Sequence, residues 1–265
     1  MNDNQKIRSD AGFSARDTMA DDFYFSELQE RHLYDGMEED VCSGEELLID
    51  GPAGPLEVLT SCPDCYEDSR PIAVICHPHP LYGGSMKNKV VHILSETFND
   101  MGLLSVTFNF RGVGKSAGRF DHGRGETEDM LAVVRYFRER HPRAPLWLAG
   151  FSFGAYVAIR GHHQAGAERL LLVAPPVNMF DFSEVPKVDV PWMVVQGGRD
   201  DITEPRQVSK WVHDQPARPE YRWMADADHF FHGRLNRLRD TVMNRWSGAV
   251  GQKEGFGADA RAAKR

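Results

Sequence analysis

The sequence predicts an α/β fold, a mostly parallel central sheet with helices on both faces. Two observations carry this. Apolar runs of strand length alternate with longer segments of helical period between about residues 72 and 246. Several of the runs, residues 72–76 and 170–173 among them, are continuous rather than alternating, as expected of strands buried on both faces.

The elements follow in order. Residues 46–50 and 56–61 flank Gly51-Pro52-Ala53-Gly54, a hairpin signal that adds antiparallel strands at one edge. Residues 72–76 form a strand, and 90–100 a helix closed by Gly102. A strand over 103–110 precedes a helix over 126–140, with Met130, Val133, Val134 and Phe137 on one face. Then come a strand at 146–148, a helix at 153–160, and strands at 170–173 and 192–195. A helix at 208–213, a strand at 221–224 and a helix at 235–246 complete the pattern. Residues 1–43 read as a polar, acidic extension whose apolar cluster is Phe23-Tyr24-Phe25. Residues 44–247 make one domain, and residues from 248 onward read as a disordered tail.

Composition narrows the partners. The net charge of −8 and pI near 5.8 argue against nucleic acid, whose binding needs many Lys and Arg on phosphates. They argue equally against an anionic membrane surface. The polar start Met1-Asn2-Asp3-Asn4 has no apolar signal core, and no run reaches the roughly 20 residues of a membrane span. Cys42, Cys62, Cys65 and Cys76 are therefore expected to be reduced thiols, and the protein to be cytoplasmic.

In sheets of this kind functional groups gather at the carboxyl ends of the strands. There Gly150-Phe151-Ser152-Phe153-Gly154 follows one strand and opens a helix. A G-x-S-x-G turn in that context strains the serine backbone and presents its hydroxyl, exposed, at the helix N-terminus. The bland alternative is a serine N-cap between turn glycines. Two further elements follow in the order Ser…Asp…His. The strand and turn Val194-Val195-Gln196-Gly197-Gly198-Arg199-Asp200-Asp201 places a carboxylate, and Ala227-Asp228-His229-Phe230-Phe231-His232 an imidazole on the loop before the last helix. Ser152, Asp200 and His229 are the expected catalytic triad. Asp201 is the rival acid, otherwise a cap for the helix starting near Glu204, and His232 is the rival base.

Together with His77-Pro78-His79-Pro80-Leu81-Tyr82-Gly83-Gly84 and Phe108-Asn109-Phe110-Arg111-Gly112-Val113-Gly114-Lys115-Ser116, these elements make the chain resemble the small, lidless α/β-hydrolases, from about residue 45 to 246. The resemblance implies the α/β-hydrolase fold without a cap domain, the triad, and an oxyanion hole of two backbone N–H groups. One would come from Phe153 and the other from Leu81 or Tyr82.

The expected activity is a serine hydrolase acting on a small-molecule ester or thioester through an acyl-serine, with no cofactor and no metal. Tyr82, Phe180 and Phe182 are the expected walls of an open substrate site. An acyltransferase using the same acyl-serine, or a non-catalytic binding protein on the same fold, are the alternatives. Other motifs carry less. Gly112 to Ser116 lacks the first glycine of a phosphate loop, since Asn109 stands there. His77 and His79 are expected to brace a loop, Cys62-Pro63-Asp64-Cys65 to form a turn, and Glu126 or Asp129 to pair with Arg111.

Overall fold

The computed structural model describes residues 44–63, 66–67 and 69–250. The extension over 1–43 and the last fifteen residues lie outside them. Glu46–Gly51 (β1) and Gly54–Ser61 (β2) form the expected hairpin, paired antiparallel from Glu46↔Leu59 to Gly51↔Gly54. The strands Ile72–Cys76 (β3), Leu104–Phe108 (β4), Leu146–Phe151 (β5), Arg169–Val173 (β6), Trp192–Gly197 (β7) and Glu220–Met224 (β8) are mutually parallel. Sheet order is β1-β2-β4-β3-β5-β6-β7-β8, with β2 antiparallel to β4.

Period-2 alternation in these strands divides the core in two. Ile72, Val74 and Cys76 of β3 face one side, against Arg124–Arg140 (α2), Phe153–Ala165 (α3) and Pro205–His213 (α4). Ala73 and Ile75 face the other, against Lys89–Asp100 (α1) and Leu235–Trp246 (α5). β3, β4, β5 and β7 are buried along their whole length, which is why their sequences are continuous apolar runs.

Where element bounds differ from expectation, a local bond explains it. β4 stops at Phe108 because the Phe110 N–H leaves the ladder for His77 Nε2, 3.0 Å away. β5 runs on to Phe151, since Gly150 and Phe151 still pair with Leu172 and Val173. α3 continues through Gly161 to a left-handed cap at Gly166. Gly161 lies where α2 approaches closely, and a Cβ there would stand 2.3 Å from Met130 Cε. The expected tail at 248 begins too early, because Ala249 and Val250 still pack on the core. The expectation of reduced thiols fails at Cys62, which is disulfide-bonded, whereas Cys76 is free and buried. No helix among the described residues is long and apolar enough to cross a membrane.

Gly154, at the start of α3, sits against the end of β3. A Cβ there would lie 2.1 Å from the Cys76 carbonyl oxygen and 2.6 Å from that of His77. Both neighbours are backbone, at and just past the end of a central strand. Gly154→Ala should therefore destabilise the fold by about 1–3 kcal/mol or more. Urea unfolding of the variant beside the parent measures this, and an unchanged midpoint would contradict the packing described.

Candidate active site

Ser152 occupies the turn between β5 and α3 with φ 54° and ψ −121°, a conformation that costs an L-residue strain. The turn is held by the Ser152 N–H donating to Val173 O at 2.8 Å. The flanking glycines meet each other, since a Cβ on Gly150 would stand 2.1 Å from Gly154 O. Ser152 is in the N-cap position of α3, yet its side chain makes no cap hydrogen bond. Its Oγ lies instead 3.1 Å from His229 Nε2. At 8% exposure the residue is more enclosed than the exposed hydroxyl expected, because Phe151 and His229 pack around the turn.

His229 lies on the loop after β8 and is buried. Its Nδ1 is 2.8 Å from Asp200 Oδ2. A carboxylate only accepts, so Nδ1 carries the proton and Nε2 is left to accept from the serine hydroxyl. Asp200, at the turn after β7, accepts five hydrogen bonds. The Thr203 hydroxyl (2.6 Å), Gln196 Nε2 (3.0 Å) and His229 converge on Oδ2. The Ile202 and Thr203 N–H groups reach Oδ1 at 2.9 and 2.7 Å. Burial pushes the Asp200 pKa up, but the bonds and charge of His229, with those from Thr203 and Ile202, outweigh it and hold the carboxyl below its ordinary value. Gln196 and Thr203 did not emerge from the sequence reading. The available signal was Gln196, one amide inside an apolar strand.

The rival groups are elsewhere. Asp201 is exposed, and the cap of α4 is Glu204, whose carboxylate accepts from Arg206 N–H, so the capping role expected of Asp201 is not found. His232 is exposed and pairs with Asp228 at 2.8 Å.

The turn after β3 departs from expectation. Leu81 N–H donates to His79 Nδ1 at 3.2 Å and Tyr82 N–H to His79 O at 3.1 Å, both closing the short helix Pro80–Tyr82. Neither N–H group expected to complete the oxyanion hole is open. Pro78 and Pro80 have none, so between Pro78 and Tyr82 only His79 has an N–H without an acceptor among the described residues. His77 braces this turn. Its Nδ1 donates to Pro78 O at 2.6 Å while its Nε2 accepts from Phe110. Burial lowers its pKa to about 3, so the ring is neutral and both bonds persist at neutral pH. In a trans peptide C=O and N–H point oppositely. Anchoring Pro78 O inward on His77 thus turns the His79 N–H away from that ring.

The His79 ring contacts Tyr82 (4.7 Å between centroids), Phe153 (5.0 Å) and Phe180 (6.1 Å). Tyr82 and Phe180 thus share one aromatic surface beside the serine turn. Phe182 does not join it: it is buried against Tyr156 and Trp211, because it belongs to the core under the loop. Arg111 pairs with Asp129 (2.8 Å), whereas Glu126 accepts the Asp121 and Gly123 N–H groups. Among the described residues no three His, Cys, Asp or Glu side chains converge as metal ligands. A surface cavity of about 670 Å³ between β2, α1 and α5, lined by Cys62, Glu96, Asn99 and Arg239 among others, lies apart from Ser152.

Residues 74–254 match the family model described as an alpha/beta hydrolase domain, and the chain belongs to the α/β-hydrolase family. Among solved structures it is similar to XC6422 of Xanthomonas campestris, described as an α/β serine hydrolase without lid. The identity is 38%, over 82% of this chain and 99% of that one, with a TM-score of 0.76. It is also similar to an α/β serine hydrolase homologue from Coxiella burnetii, with 42% identity over 79% and 99% of the two chains and a TM-score of 0.73. An uncharacterised protein of Rickettsia prowazekii is 34% identical over 207 residues, 74% of this chain and 86% of its own.

The Asp200 environment has a pH signature. Thr203→Val removes a buried hydrogen bond to a carboxylate, which should cost about 1.5–3 kcal/mol at pH 7. Because the folded-state pKa is depressed, the contribution is full above the unfolded value near 4 and is lost as pH falls through the lower folded value. Parent and variant unfolding free energies should therefore converge as acid is added below about pH 4. A constant gap down to the acid transition would contradict this account.

Proposed function

We propose that the protein is a serine hydrolase of carboxylic esters or thioesters, with Ser152 as nucleophile, His229 as general base and Asp200 as the acid that orients it. The observation carrying this reading is the unbroken chain Ser152 Oγ–His229 Nε2–His229 Nδ1–Asp200 Oδ2, at 3.1 and 2.8 Å. A serine that merely capped α3 would spend its oxygen on the helix, and this one does not. In the proposed reaction His229 Nε2 takes the hydroxyl proton as Oγ attacks the carbonyl, and Asp200 stabilises the imidazolium. The same Nε2 then gives the proton to the leaving group, and water enters by the reverse sequence to release the acid. No step calls on a cofactor.

For the developing oxyanion, the proposed donors are the N–H groups of Phe153 and His79. Phe153 heads α3, where its N–H has no intrahelical acceptor. His79 replaces Leu81 and Tyr82 because theirs are already engaged. Such donors contribute on the order of a hundred- to a thousandfold each. The α/β serine hydrolase and the serine hydrolase homologue described above support the class, and their resemblance spans nearly their whole chains.

Fluorophosphonate labelling followed by turnover on an ester and thioester panel tests the reading. Ser152→Ala should abolish labelling and lower turnover by about a millionfold while leaving the unfolding midpoint close to the parent's. Labelling that persists in this variant would remove Ser152 from the mechanism. Asp200→Asn should cost about ten-thousandfold through the wrong histidine tautomer. Exposed Asp201→Asn should stay within a few-fold of the parent in kcat/KM. The opposite ranking would move the acid to Asp201.

A further inference from the structure

Seven large hydrophobic side chains are exposed among the described residues: Leu48, Leu81, Tyr82, Met179, Ile202, Trp223 and Phe230. Leu48 and Trp223 lie on β1 and β8, the two edge strands. The other five all fall on the loops that follow β3, β6, β7 and β8, at the end of the sheet where Ser152 stands. Isolated exposed apolar residues are ordinary, but five gathered around one site are not.

Four of the five are one link from a group in the proposed mechanism, and the fifth, Met179, is two links away. Leu81 and Tyr82 bond to His79 through their N–H groups, and the Tyr82 ring rests on the His79 ring. Met179 precedes Phe180, whose ring contacts Phe153 at 5.3 Å. Ile202 donates its N–H to Asp200, and Phe230 packs edge-on against the His229 ring at 5.1 Å. Asn178 Nδ2 to Ile202 O, 3.3 Å, joins the loops of Met179 and Ile202. The rim is thus tied to the site on all these sides.

From this we infer that the substrate is a neutral lipophilic ester, apolar in both its acyl and alcohol halves, lying across the rim. The inference rests on the hydrolase reading above and adds the substrate class. His229 delivers its proton to the leaving group, so the alcohol lies on the His229 side, flanked by Phe230 and Ile202. The acyl half lies opposite, on the aromatic surface of His79, Phe153 and Phe180 that Leu81, Tyr82 and Met179 border. Charge selects against anionic substrates. Over the four rim loops, residues 77–88, 174–191, 198–204 and 225–234, the sequence has eight Asp or Glu against four Lys or Arg. Phosphate-bearing thioesters would meet that field unfavourably.

The test uses the full chain and two monomeric ester series. With p-nitrophenol as leaving group, kcat/KM should rise about twofold per methylene from butyrate to decanoate, half of what full burial of each methylene supplies. With acetyl esters of lengthening primary alcohols, a similar slope is expected. Met179→Ser should flatten the acyl series and spare the alcohol series, and Ile202→Ser should do the reverse. Leu48→Ser, on the far edge, should change neither slope. Flat or falling series from a protein whose Ser152 still labels with fluorophosphonate would overturn the lipophilic class and leave the hydrolase reading standing. Rising series that neither variant alters would place the chain elsewhere and overturn the rim. Absence of both labelling and turnover would sink the hydrolase reading, and this inference with it.

Discussion

The close approach of the serine turn to the end of β3 is the constraint on which the site depends. Two backbone contacts define it: Gly154 against the carbonyls of Cys76 and His77, and Gly150 against Gly154 itself. With no side chain between them, β5, the turn and the head of α3 press directly onto the neighbouring strand. That compression drives Ser152 to φ 54°. It also sets Phe153 and the turn from His77 to Tyr82 side by side, so that one ring, His79, spans both. Strain at one residue is thus maintained by a sheet that cannot yield.

Around this frame, the buried side chains of Asp200 and His77 are each held by a matched set of partners. Asp200 is buried yet ionised because five donors meet its two oxygens. A buried carboxylate without them would protonate and lose its hold on the imidazole. His77 shows the opposite solution, a histidine kept neutral by burial, its two nitrogens matched to one acceptor and one donor. The first arrangement holds a charge in place, and the second holds a peptide in place. Each is shielded from water by its own aromatic packing, His77 by Phe110 and His229 by Phe151 and Phe230.

Much of this was legible in the sequence because the signals were local. Strand runs such as Ile72–Cys76, the hairpin at Gly51 to Gly54, and the G-x-S-x-G turn depend on neighbours along the chain. The order Ser152, Asp200, His229 was readable for the same reason, since each member sits just after a strand. The rest depends on contacts between distant segments. That the Leu81 and Tyr82 N–H groups are consumed follows from the way His79 folds back on its own turn, which Leu81-Tyr82 as letters do not reveal. Phe182 reads like Phe180, two positions away, but one faces the site surface and the other the core beneath. The ends of β5 and α3 were obscured by Gly150 and Gly161, which lower local propensity but are required by close packing.

The absence of a lid changes what the static structure has to do. No helix or strand interrupts the loop from Ala174 to Pro191, where a cap could be inserted, so nothing among the described residues folds over Ser152 from that side. Enzymes that close a lid exclude water at the moment of reaction. Here the polar groups of the proposed mechanism are already desolvated: His229 is 2% exposed and Asp200 7%, under Phe151 and Phe230. Only the serine oxygen and the oxyanion position then need substrate to displace water. An apolar rim suits that requirement, since a lipophilic substrate laid across it would complete the dry environment that a lid supplies elsewhere. On this view the exposed rim and the buried charge chain are two halves of one arrangement. The protein desolvates its own groups permanently and leaves the last layer of exclusion to the substrate.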